Sequence, residues 1–74
     1  MIEEIKKLIC ATLGIAPERV GDDTDLVDDL GVDSLDVAEL LMSLEEKYGV
    51  AVPDEDAPDL RTAKDIAVYV EQKL

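Results

Sequence analysis

The chain has 74 residues, 47% of them apolar, with no Phe, Trp or His and with nineteen Asp+Glu against seven Lys+Arg, a formal net charge of −12. That length fits one domain, residues 1–74, with a small and mostly aliphatic core, and the charge disfavours nucleic acid and anionic membranes while attracting basic protein surfaces. The apolar share is too high for a disordered polyanion. The single cysteine, Cys10, excludes an internal disulfide and reads as a small packing residue in a reducing compartment; with no signal peptide and no apolar run of membrane-spanning length, the expectation is a soluble cytoplasmic protein.

The first helix is predicted over Ile2 to Leu13, where Ile2, Ile5, Ile9 and Leu13 recur on one face. Glu3 and Glu4 precede Lys6 and Lys7, the order that the helix dipole favours, and Gly14 ends the helix. The connection from Gly14 to Val32 is long for so small a domain, a length that often marks function. Ile15, Val20, Leu26 and Leu30 are spaced as anchors to the core, and a helical turn over Thr24 to Leu30, closed by Gly31, brings Leu26 and Leu30 together.

A second helix is predicted from Ser34 to Tyr48, with Asp33 or Ser34 as N-cap, Asp36 in its first turn and Gly49 as its stop. At about 100° per residue, Val37, Leu40, Leu41, Leu44 and Tyr48 share the core arc. Asp36, Glu39, Ser43, Glu46 and Lys47 fall opposite, and Leu35 and Met42 lie beside that acidic stripe, away from the core. Two readings of this face stand at this point: a solvated surface with two stray apolar side chains, or a docking surface in which acids steer a basic partner and the apolar pair supplies dry contact.

After Val52-Pro53, which the proline holds extended, Asp54 to Leu60 has room for a short helix interrupted at Pro58. The last helix begins at Thr62, where Thr62-Ala63-Lys64-Asp65 has the form of a capping box, and buries Ile66, Tyr69 and Val70. No strand pattern persists, so the expected fold is all-α.

Chemistry narrows the site. Without His, neither the serines nor Cys10 has a base with which to form a nucleophilic triad, and exposed carboxylates on so small a chain leave little room for a closed catalytic cleft; no enzyme is expected. An EF-hand fails from Asp23, where Val27 and Asp28 break the pattern, and from Asp28, where Leu30 does, so no dedicated metal site is expected. Ser34 is either the cap of the second helix or a hydroxyl exposed for modification at a helix start.

The stretch Asp28-Asp29-Leu30-Gly31-Val32-Asp33-Ser34-Leu35-Asp36 resembles the prosthetic-group attachment site of acyl carrier proteins. Glu39-Leu40, Leu44-Glu45-Glu46 and Val52-Pro53-Asp54-Glu55 follow at the family's spacing, so the likeness covers essentially the whole chain and is nearest to the freestanding carriers of bacterial type II fatty acid synthesis. The resemblance implies a small four-helix acyl-carrier-like bundle with a long first loop and a short third helix. It implies that a holo-synthase transfers 4′-phosphopantetheine from coenzyme A onto Ser34, and that the thiol of this covalent arm holds acyl chains as thioesters. It also implies that fatty acid synthesis enzymes dock basic patches on Asp33, Asp36, Glu39, Glu45 and Glu46, with Leu35 and Met42 as apolar contacts. The acyl chain is expected between the second and the short third helix, and the carrier is expected to be a monomer. Carriers of polyketide, peptidyl or D-alanyl units are the rival within the family, disfavoured by the acidic second helix and Val52-Pro53-Asp54; an acidic interaction module with Ser34 as a mere cap is the rival outside it. Pro58 departs from the family pattern and predicts a third helix that is shorter or more mobile.

Overall fold

The computed structural model describes residues 1–74 and contains three α-helices: α1 (Ile2–Leu13), α2 (Ser34–Tyr48) and α3 (Ala63–Lys73), with 3-10 turns at Pro17–Arg19 and Ala57–Asp59. No strand is present. Each helix boundary follows from local chemistry. α1 stops where Gly14 turns left-handed and its N–H reaches Cys10 O at 2.9 Å; α2 stops in the same way at Gly49, bonded to Glu45 O at 2.8 Å. α3 starts from the expected capping box, in which Asp65 N–H donates to Thr62 Oγ1 at 3.0 Å and Thr62 N–H to Asp65 Oδ2 at 3.3 Å.

The core is wholly aliphatic. Ile5 and Ile9 of α1, Leu40 and Leu44 of α2, and Ala63, Ile66, Ala67 and Val70 of α3 are buried together with Val20, Leu26, Val32 and Val50 from the connections. Ile2, Leu13, Val37, Leu41, Tyr48 and Tyr69 pack at its edge, as does Cys10. α1 packs against both other helices, whereas α2 and α3 meet less closely. The space left between α2 and the segment entering α3 is where a cleft forms.

Two expectations need correction. The structure does not have four α-helices: the segment expected to form the short third helix is a turn over Pro53–Asp56 followed by the single 3-10 turn Ala57–Asp59. Pro58 has no N–H to donate and disfavours α-helical geometry at Ala57, and the segment carries three tight bonds instead: Asp56 N–H to Pro53 O at 2.9 Å, and Asp59 N–H to Asp56 O and Leu60 N–H to Ala57 O, both at 3.1 Å. Ser43, placed on the face opposite the core by its angle, instead accepts a hydrogen bond from Thr12 Oγ1 at 3.2 Å and ties α1 to α2.

The long connection is ordered by its own bonds. Asp25 caps a helical turn, its Oδ1 accepting from Val27 N–H at 3.0 Å and Asp28 N–H at 2.8 Å, while Asp29 Oδ2 accepts from Asp25 N–H at 2.9 Å. Gly31, at φ +70, then lets Val32 N–H return to Leu26 O at 3.0 Å, burying Leu26 and Val32 side by side immediately before α2. Leu26 N–H also donates to Arg61 O at 2.8 Å, and Lys64 N–H to Asp22 O at 3.2 Å, so the loop is laced to the start of α3.

Candidate functional site

The start of α2 is built from a reciprocal cap. Asp36 N–H donates to Asp33 Oδ1 at 2.9 Å, and Asp33 N–H reaches back to Asp36 Oδ2 at 3.4 Å. Asp33 is therefore the N-cap, and Ser34 is the first helical residue. Ser34 is exposed, and its hydroxyl takes no part in the cap. The competing job that the sequence offered this side chain is done by its neighbour.

Beside Ser34 opens a cleft of about 540 Å³, within the size range of small-ligand sites. Val37, Ala38 and Leu41 of α2 form one wall; Leu26, Val27 and Val32 of the first connection and Ala57, Pro58 and Leu60 before α3 form the rest, with Asp33, Asp54 and Arg61 among the polar lining residues. A second cavity of about 590 Å³ lies between α1 and the long connection, lined by Lys6, Cys10, Ile15 and Val20 among others. It is no smaller, but it does not include Ser34, so the exposed hydroxyl and not volume distinguishes the first.

The outer face of α2 carries the other expected residues. Leu35 is 73% exposed and Met42 62% exposed, the two large apolar side chains that this helix leaves in solvent. Glu39, Glu45 and Glu46 are exposed, whereas Asp36 is half-buried by its part in the cap. Asp33 thus stands immediately before Ser34 as the N-cap, and Leu35, Asp36, Glu39, Met42, Glu45 and Glu46 follow it along α2.

Sequence reasoning did not identify Arg61. Its Nε donates to Asp25 Oδ2 at 2.7 Å and its Nη2 to Asp28 Oδ2 at 2.9 Å. The bond from Arg61, followed by the backbone N–H of Asp28, holds the Asp25 carboxyl below the usual carboxylate range against a smaller opposing effect of burial. Nothing in the local pattern around Arg61 signals partners more than thirty residues away.

Compared with known proteins, residues 3–70 match the family model described as "Phosphopantetheine attachment site". Proteins named "Acyl carrier protein" from Bdellovibrio bacteriovorus and from Campylobacter hominis are each 44% identical to this chain, over 95% and 96% of it and 90% of each relative. One of that name from Zymomonas mobilis is 41% identical over 95% of the chain and 90% of the relative. The chain belongs to the acyl carrier protein family.

Family membership brings 4′-phosphopantetheine as the prosthetic group, and the residues present fit it. A serine phosphodiester needs a hydroxyl that is exposed and not committed to the fold, which Ser34 supplies. A hydrophobic cargo needs apolar shelter within reach, which the aliphatic cleft beside Ser34 supplies. Bound, the arm contributes a thiol that holds acyl groups as thioesters. Fatty acyl chains and the enzymes that process them are the family's partners, and no helix of this chain is long and apolar enough to cross a membrane.

Proposed function

We propose that this chain is a carrier, not a catalyst, which holds fatty acyl groups as thioesters on a 4′-phosphopantetheine arm joined to Ser34 Oγ and delivers them to fatty acid synthesis enzymes. The observation that carries this reading is the division of labour at the start of α2: Asp33 and Asp36 cap the helix between them, so Ser34 is exposed and uncommitted at the mouth of an apolar cleft. The Ser34 oxygen forms the new ester bond to phosphorus as the nucleotide part of coenzyme A departs. The base for its proton comes from the holo-synthase, since the chain has no His and no base bonded to the hydroxyl.

The rest of the molecule serves that one group. The 74 residues work as a single domain, a monomer in the cytoplasm. The segment Pro53–Leu60 stands where a four-helix carrier has its short third helix, and it forms one side of the acyl cleft through Ala57, Pro58 and Leu60. Partners approach α2 with basic patches, steered by Asp33, Asp36, Glu39, Glu45 and Glu46, and seat apolar contacts on Leu35 and Met42.

Intact-mass measurement after incubation with coenzyme A and a holo-synthase tests the reading directly. A single phosphopantetheine increment on the wild type and none on Ser34→Ala is expected. No increment on the wild type, or an increment that survives Ser34→Ala, would remove it.

A further inference from the structure

Of the chain's seven basic residues, Arg61 is the one that lines the cleft shared with Ser34. Its guanidinium is held unequally. Asp25, whose side chain is 22% exposed, is fixed by two backbone N–H groups and grips Nε. Asp28 is 71% exposed and grips Nη2 from solvent, the kind of contact that exchanges easily. Nη1 has no partner in the chain. The cation is therefore anchored on one side and free to turn on the other.

The surroundings of Ser34 are otherwise hostile to another negative charge. Asp33 and Asp54 line the same cleft, the Asp36 carboxylate bonds the backbone N–H of Asp33 next to Ser34, and the chain as a whole carries −12. A guanidinium presents parallel donors that match phosphate oxygens.

Resting on the reading of Ser34 as the attachment point, we propose that Arg61 is the phosphate-binding residue for the arm. With a phosphodiester on Ser34, Arg61 keeps Nε on Asp25 and turns its Nη groups from Asp28 to the phosphate oxygens. This offsets the repulsion from Asp33, Asp36 and Asp54 and holds the base of the arm at the mouth of the cleft. Asp28 is released in the exchange, so the turn Asp25–Gly31 reports whether the arm is attached.

The test uses the full chain, apo and holo, as wild type, Arg61→Gln and Arg61→Lys, with intact mass first establishing complete loading at Ser34. Three results are expected. The Arg61 Nη–H resonances shift between apo and holo wild type. The ³¹P resonance of the holo protein differs between wild type and Arg61→Gln. Loading also lowers the melting temperature of Arg61→Gln by roughly 2–4 °C more than that of wild type at low salt, a gap that closes at high salt, with Arg61→Lys in between. Full loading with unmoved Arg61 Nη–H resonances, an unchanged ³¹P resonance and equal apo-to-holo melting shifts would overturn the proposal and leave Arg61 as a tie between loop and helix. Absence of loading at Ser34 would instead remove the reading beneath it. Should Arg61→Gln fail to fold, Asp28→Asn removes the competing acid: a larger Arg61 shift on loading than in wild type supports the exchange, and an unaltered one overturns it.

Discussion

Asp33 and Asp36 each accept the other's backbone N–H on a side-chain carboxylate, so Ser34 is held at a helix start without its hydroxyl contributing to the cap. Stability and function at adjacent positions are thereby separated. Ser34→Ala should fold within about 0.5 kcal/mol of wild type, because it removes an exposed hydroxyl with no role in the cap, while abolishing the phosphopantetheine mass increment. Asp33→Ala should cost about 1 kcal/mol, the usual penalty for a lost N-cap, and still be loaded. Urea titration with intact mass on both variants checks this; the opposite ranking of stabilities would make Ser34 the cap.

That separation was only half legible in the sequence. Periodicity located all three helices, the glycine stops and the Thr62 capping box, because those signals lie within a few residues of one another. It left both Asp33 and Ser34 as candidates for the cap, since both side chains suit the position and only the geometry of the Asp36 N–H decides between them. Ala63 and Ala67 went unnamed as core residues because alanine is at home on either face of a helix, yet both are buried in the core. Ser43 misled for a related reason: its angle is right for solvent, but α1 lies near enough for Thr12 to bond to it. Arg61 was invisible, since a side chain that bridges Asp25 and Asp28 leaves no mark on its own neighbours. What was missed is what depends on distant segments meeting.

The Asp25–Arg61 contact predicts a pH dependence with a definite sign. Its carboxyl titrates below the ordinary value of 3.8, chiefly because Arg61 bonds to the ionised form. A depressed carboxyl stabilises the fold fully above its unfolded value, and this contribution fades as pH falls through the folded value. The stability gap between wild type and Asp25→Asn should therefore be constant above about pH 5 and close as acid is added below 3.8. Chemical denaturation at a series of pH values measures it; a gap that persists undiminished to about pH 2 would mean that the ion pair is not its source.

Pro58 should set the mobility of the cleft's outer wall. Ala57, Pro58 and Leu60 all line the cleft, and the segment is pinned to α3 by Tyr69, whose hydroxyl donates to Asp56 Oδ2 at 2.9 Å. Pro58→Ala restores an N–H and permits helical geometry at Ala57, so the turn can lengthen toward a helix. Slower amide exchange across Asp54 to Leu60 is expected in the variant. Equal protection in both proteins would show that Tyr69 and local packing, not the proline, govern the segment.

Self-repulsion should make the fold salt-sensitive. Asp22, Asp23, Asp25, Asp28 and Asp29 crowd one connection, and Asp54, Glu55, Asp56 and Asp59 the other. The ion pairs that offset them are those of Lys6 with Glu3 and Asp22 and of Arg61 with Asp25 and Asp28. Raising salt from 0.01 to 0.15 M shortens the Debye length from about 30 Å to about 8 Å. The melting temperature should rise by about 4–8 °C, equivalent to about 1 kcal/mol in a domain of this size, and magnesium should also raise it. A flat response to both salts would show that the acids are already far enough apart to be screened by water.

The outer face of α2 makes the sharpest separation between fold and partner. Leu40 is 1% exposed and Leu35 73%, though both are leucines of one helix five residues apart. Leu40→Ala should cost about 2–5 kcal/mol through the cavity it leaves, whereas Leu35→Ala and Met42→Ala should stay within about 0.5 kcal/mol of wild type. If Leu35 and Met42 are the dry contacts of the docking face, their truncation should lower kcat/KM for loading by a holo-synthase about 5–10-fold, the loss typical of a significant interface residue. Glu39→Gln and Glu46→Gln should act differently, slowing association most at low salt and losing their effect as ionic strength rises, because they steer the encounter from a distance. Steady-state loading kinetics across a salt series, set beside melting curves, distinguishes the two roles. Unchanged kinetics in all four variants would place the docking face elsewhere, since none of these side chains has a core contact through which to act.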